Sequence, residues 1–504
     1  MNLGKLAIFS WPWILLLSIL VDVEGAHVCD GITGTYEEWF NQALGTKKVI
    51  VVGGGISGLE ATKTLIAGGI SNVLLLEAQD YLGGRVKTHR EGSILVEDGA
   101  EWINGGNQNP LYGLAKNISG LTQPLADQTY VWAIRTQDGD RGDALGYMAA
   151  SNVMQICEED QVLANYQDVG YGNCYIDKFP LVYKNFSGLP AEESAWFHYL
   201  HMWVVKDTGT SDWREQSGRD ADHFTDWGLD EWNQWAGGFD TLTKHIKSSI
   251  PDNKIKLSSP VCKIFWNSGS NRKAVVVTST QEAYITDFVL VTASVGHLKE
   301  RHSMLFSPAL PTSYSQNFDR INLGVADKVQ IGWDKPWWGT NPLDLNVIFT
   351  QMNLPEEQSW LYGIMEFMSI HQQVPIIQAF VTGNYSLKME SLTEEKVEEH
   401  ILAHLQRLNI TDAPIPPPTF RRRTKWYDNI WMRGSYNSII PVEGDKQGLK
   451  SRDPFLVPIE NNFGKVIFWA GEHTDTYRYG TVDGAMMSGR QTAEEIIEFN
   501  KIRP

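Results

Sequence analysis

Apolar residues recur along this chain in two patterns. Lys48–Val52 and Val73–Leu76 are short runs rich in valine and leucine, and they predict buried strands. Lys254–Leu257, Val261–Trp266 and Ala274–Thr278 predict successive short strands, and Phe288–Thr292 (FVLVT) predicts another buried one. Lys328 stands in a run of alternating type that ends in Lys335-Pro-Trp-Trp. The helical period is clearest over Leu392–Leu408, where Val397, Ile401, Leu405 and Leu408 share one face and Ser391 with Glu394 has the spacing of a capping box. Ser194–Lys206 is helix-like and aromatic, and most of its members read as core. Trp235-Ala-Gly-Gly-Phe239 predicts a turn that feeds a helix. Val466 begins a strand that runs into Gly471-Glu472, a loop, and a helix from about Val482. Pro414–Pro418 is a stiff loop, and Arg421–Arg423 reads as a solvated charge run. No internal repeat is evident.

The first two strands enclose a glycine fingerprint. Gly53, Gly55 and Gly58 have the G-x-G-x-x-G spacing between a strand and a helix, and Glu77 ends the second strand. The first glycine permits the tight turn, the second lets backbone approach a pyrophosphate, and the third lets the helix pack against the strand. A helix N-terminus there offers free N–H groups to an anion, and the acid suits a ribose hydroxyl. Strand, glycines, helix, strand and acid together point to a dinucleotide.

Composition narrows the classes. A length of 504 residues implies two domains, which the placement of the motifs makes interleaved. A net charge of −17 argues against nucleic acid, suits a cationic partner through steering, and equally serves solubility. Residues 1–26 read as a signal peptide: Lys5 precedes an apolar run from Leu6 to Val21, and small residues follow at Gly25 and Ala26. That run is short for a membrane span, and no second one follows, so no stable span is expected. Sequons at Asn117, Asn185, Asn384 and Asn409 agree with passage through the secretory route. Cys29, Cys157, Cys174 and Cys262 allow three connectivities in an oxidising compartment; Cys157 with Cys174 is the first choice, and buried free thiols are the alternative.

Past Glu77 come Gly84-Arg85 and the stretch VEDGAEWING (Val96–Gly105), and near the far end VIFWAGEHTDTYRYGTVDGAMMSG (Val466–Gly489). With the fingerprint, these resemble the flavin amine oxidase family, which contains polyamine oxidases, monoamine oxidases and L-amino-acid oxidases. The resemblance runs from Lys48 to Glu498 and is closest to polyamine oxidases. It implies an α/β fold in which a split Rossmann-like FAD-binding domain (47–105, 237–297, 426–504) is interleaved with an α+β substrate domain (106–236, 298–425). Cofactor contacts are then expected from Gly53, Gly55, Ser57, Gly58, Glu77, Arg85, Gly99, Ala100, Trp102, Val261, Trp426, Glu472, Thr481 and Val482. In the family the glutamate after Gly471 holds the flavin ribityl chain, and the helix that follows points its N-terminus at the flavin. No cysteine lies in the C-terminal motif, where some members carry a covalent link, so noncovalent FAD is expected.

The same resemblance makes Lys328 the catalytic lysine, which in relatives holds a water against flavin N5. Trp102, Trp426, Trp431, Tyr436 and Tyr479 are candidates for the aromatic slot, with Trp431, Tyr479 and Asn104 assigned to substrate. Asn104 departs from the Glu or His often found at that place, and it cannot carry charge. The implied substrates are a small polyamine and dioxygen. The rivals are an L-amino-acid oxidase, for which Arg433 or Arg478 would clamp the carboxylate, and a flavin-binding protein without turnover; a chromatin demethylase is disfavoured by the leader.

Overall fold

A computed structural model describes residues 28–122, 131–186, 192–227, 232–268, 273–370, 373–441 and 452–502. The predicted signal peptide lies outside the described residues.

A nine-stranded sheet carries the fingerprint. Its central strand, Thr46–Val52, runs parallel to Val73–Leu76 on one side and to Ala283–Val291 on the other. Gly464–Trp469 also pairs in parallel with the end of Ala283–Val291, so the C-terminal motif enters the sheet beside the N-terminal one. Both faces are covered. Ile50, Val52, Leu74 and Leu76 pack into one core, and Val49, Val51, Val73 and Leu75 into another with helices Ile56–Ala67 and Val482–Ile502. Burial on both faces explains why these strands read as unbroken apolar runs. The chain returns to this sheet at Phe306–Ser307, beside Val261–Phe265.

A six-stranded sheet forms the other lobe, in the order Phe420–Arg423, Ala326–Gly332, Gln373–Thr382, Glu366–Ile370, Leu343–Ile348, Val131–Thr136. Helix Glu394–Arg407 buries Val397, Ile401 and Leu405 as the period predicts, and Leu408 is buried just beyond it. Its cap differs from expectation. Thr393, in extended backbone, accepts from Lys396 N at 3.3 Å, whereas Ser391 closes the preceding helix Asn384–Glu390. The arginine run also departs from a solvated role. Phe420–Arg423 is an edge strand on Ala326–Gly332; Arg421 pairs with Glu398, Arg422 with Asp98, and Arg423 caps the helix Asn384–Glu390 through Met389 O while pairing with Glu394.

All four cysteines are paired. Cys157–Cys174 ties helix Ala144–Glu158 to Gly172–Asn185, and Cys29–Cys262 staples the segment ahead of the first strand to the strand Val261–Phe265. Asn117, Asn185, Asn384 and Asn409 are exposed, although the first three lie in helices and only Asn409 in a turn. Among the described residues no helix is long and apolar enough to cross a membrane.

Candidate active site

The glycine turn shows why each glycine is needed. Gly53 has φ +109°, a backbone that glycine adopts without strain. A Cβ at Gly58 would stand 2.0 Å from Gly53 O, so the helix rests directly on the turn. At Gly55 the nearest protein atom to a Cβ is 4.0 Å away. No protein contact demands glycine there, and the free space suits a close-lying pyrophosphate. Ser57, at the helix start, is 4% exposed, and its Oγ has no hydrogen-bond partner among the described residues. Glu77 accepts from Gly54 N at 2.5 Å and Gln79 N at 2.7 Å, which aims its carboxyl along the turn, and burial pushes that carboxyl above its ordinary range. An orphaned serine hydroxyl, open space at Gly55 and a pinned acid fit the phosphate and ribose ends of FAD.

The two distant motifs meet through Arg85. Its Nη1 donates to Glu472 at 2.8 Å and to Ser435 O at 2.7 Å, and the other oxygen of Glu472 accepts from Gly480 N at 3.0 Å. Arg85 thus holds a neighbouring acid, and Glu472 is oriented by both. Thr481 caps helix Val482–Ile502, accepting from Gly484 N at 3.0 Å, and Val482 opens it. Gly99 lies against Arg85, where a Cβ would be 1.8 Å from Arg85 O, and Ala100 N donates to the same carbonyl. Trp426 is buried over Gly99, with its Nε1 donating to Asp98 O, and half-buried Trp102 follows two residues after Ala100. Val261 begins its strand at the cavity lined by Cys29, Lys263, His297 and Arg301.

Lys328 is 3% exposed. Its ammonium donates to Glu97 O at 3.1 Å, Gly99 O at 2.9 Å and Glu101 Oε2 at 2.7 Å. An ammonium has three N–H donors, and these three acceptors engage all of them. Glu101 is a partner of Lys328 that the sequence reading did not assign. It sits inside a quoted motif, but the chain pattern carries no signal that it faces Lys328.

The proposed substrate residues have different partners. Asn104 Oδ1 accepts from Arg478 Nη2 at a long 3.4 Å, so its oxygen faces a buried cation. Tyr479 is buried, its ring 4.0 Å below the Arg452 guanidinium and its hydroxyl on Asp220 O. Tyr436 donates its hydroxyl to Lys206 O. Trp431, by contrast, packs 5.2 Å from the His297 ring, in a segment whose Met432 O accepts from Ser294. Arg433 pairs with Glu300, and Arg478 with Asp483.

Asp327, the neighbour of Lys328, accepts from Thr424 Oγ1, Trp426 N and Ser386 Oγ, and lies beside Glu390, which accepts from Tyr427 N and Asp428 N. Burial, with Asp327 alongside, raises the Glu390 carboxyl to about 9. A carboxyl raised on folding stabilises fully below its unfolded value and loses that contribution as pH climbs to the folded one. Stability of the wild type should therefore fall relative to Glu390→Gln between about pH 5 and 9, by at most roughly 1.4 kcal/mol per pH unit. Denaturant unfolding of both proteins across that range checks this, and parallel curves would mean that the Glu390 carboxyl is not raised on folding.

A sequence model of the flavin-containing amine oxidoreductases matches residues 56–151 and 172–497. The peroxisomal N(1)-acetyl-spermine/spermidine oxidase of Bos taurus is 25% identical, covering 89% of this chain and 94% of its own. Polyamine oxidase 1 of Zea mays is 24% identical over 89% and 90% of the two chains. Among solved structures, cyclohexylamine oxidase from Brevibacterium oxydans superposes with a TM-score of 0.66 at 19% identity, over 90% of this chain and all of its own.

Proposed function

The chain belongs to the flavin-containing amine oxidoreductase family, and we propose that within it the protein is a secreted polyamine oxidase with noncovalent FAD. FAD is the cofactor and amines are the substrates of the family reaction. FAD held there would supply the redox chemistry, as acceptor for a hydride from the carbon beside a secondary amine and donor of the electrons to dioxygen as hydrogen peroxide, and the oxidised amine would hydrolyse to an amine and an aldehyde. The chain's own part is orientation and exclusion of water. Gly53, Gly55, Ser57, Gly58 and Glu77 hold the nucleotide end, Arg85 and Glu472 lock the two motifs together, and Lys328 is fixed against Gly99.

One observation carries the choice of a polyamine over an amino acid. Arg478 spends its donors on Asp483, Thr225 O and Asn104, and Arg433 spends its on Glu300 and Tyr427 O, so both arginines suited to clamp a carboxylate are engaged by the protein. The net charge of −17 favours approach of a polycation. The N-terminal leader, four exposed sequons and two disulfides support the secretory route.

Expression of the whole chain in a eukaryotic secretory host tests the reading. The medium should contain a protein that loses mass with an N-glycosidase, gives up its flavin on acid denaturation, and releases peroxide with spermine, spermidine or their acetylated forms. Peroxide with amino acids alone would overturn the substrate; flavin left on the denatured polypeptide would overturn the noncovalent link; and retention in the cytosol would overturn the route.

A further inference from the structure

Glu101 is 5% exposed and carries three hydrogen bonds. Oε1 accepts from Gln234 Nε2 at 2.6 Å; Oε2 accepts from Lys328 Nζ at 2.7 Å and Gln378 Nε2 at 2.9 Å. Gln234 comes from the segment ahead of Trp235, and Gln378 from the strand antiparallel to that of Lys328. Two glutamines from separate parts of the chain thus converge on one carboxylate. The ammonium is closed in the same way, its remaining donors engaged by Glu97 O and Gly99 O. Other charges nearby are satisfied elsewhere. The Glu97 carboxylate accepts from Phe239 N and Thr88 Oγ1, Asp98 pairs with Arg422, Asp327 with Thr424 and Ser386, and Lys206 lies across the Phe380 ring on Glu366.

A buried ion pair of this kind adds little stability over well-packed apolar residues, while removal of one partner strands a charge. Stability alone therefore does not account for four side chains devoted to it. The backbone acceptors of Lys328 are in the Glu97–Gly99 segment, which leads into the cofactor residues Gly99 and Ala100. We propose that Glu101 is the positioning residue of Lys328: it fixes the ammonium against Gly99, so that carboxylate and ammonium act beside the cofactor as one unit and Lys328 never works as a lone base. This rests on the flavin amine oxidase reading.

Glu101→Gln, Lys328→Met and the double variant separate the possibilities. Each is loaded with FAD, reduced with dithionite and mixed with oxygen, which makes the readout independent of the amine; flavin-free samples are melted in parallel. Each single change should slow flavin reoxidation about ten- to a hundredfold, and the double variant no further, because members of a unit are not additive. Lys328→Met should also melt below the double variant even without flavin, since it alone strands a carboxylate. Multiplying kinetic effects, or Glu101→Gln reoxidising at the wild-type rate, would overturn the pairing. A wild type that binds no FAD, or that no amine reduces, would count against the family-based reading instead.

Discussion

Gly58→Val should give a colourless protein. The added Cβ would lie 2.0 Å from Gly53 O and 2.7 Å from Thr292 Oγ1, and the first of these is backbone that cannot swing aside. Helix Ile56–Ala67 cannot retreat either, because helix Val482–Ile502 crosses it so closely that a Cβ at Gly489 would meet Ser57 O at 2.2 Å. Overpacking a tight core costs about 1–3 kcal/mol, and more when backbone must move. The glycine turn, the candidate pyrophosphate cradle, is the part that gives way. Gly55→Ala separates binding from folding: its Cβ meets nothing closer than 4.0 Å in the protein, so the flavin-free variant should melt like wild type while its affinity for FAD falls. Visible absorbance, FAD titration and thermal melts of the two variants check the pair. Wild-type FAD affinity in Gly55→Ala would mean that the space beside that residue is not the pyrophosphate site.

Arg478→Met should destabilise the protein by about 3–5 kcal/mol, the cost of breaking a buried ion pair from one side. Arg478 is 1% exposed, with Nε 2.7 Å from Asp483 Oδ2, and Asp483 also accepts from Trp227 Nε1. The guanidinium is stacked near the Phe224 and Trp227 rings and ties the loop carrying Tyr479 and Thr481 to the start of helix Val482–Ile502. Without it, a carboxylate is left buried, partly relieved by its position in the first helical turn. Adding Asp483→Leu should recover most of the loss, because an apolar pair of similar volume removes the stranded charge. Denaturant unfolding of the single and double variants measures both steps. A single variant within about 0.5 kcal/mol of wild type, the range of ordinary surface changes, would show that the pair is not the clasp of this loop.

The misreadings share a cause. Ser391 and Thr393 both offer a hydroxyl ahead of the same helix, and capping needs an extended residue; Thr393 has ψ 162° while Ser391 is helical, closing the turn before. Arg421–Arg423 looks solvated as a string of charges, yet an edge strand turns successive side chains to opposite faces, and each finds its own acid.

What the sequence determined by itself is local. The glycine turn, the strands on either side of it, Glu77 at its place and the amphipathic helix ending at Arg407 each depend on residues close together in the chain, where backbone geometry and periodicity leave few choices. Tertiary structure alone decided the partners. Cys29 meets Cys262 across 233 residues, Arg85 meets Glu472, and Lys328 meets Glu101 with Gln234 and Gln378. A charge attracts every opposite charge with the same long reach, so the chain pattern cannot say which one burial will bring within 3 Å; only the order of strands in the two sheets selects it.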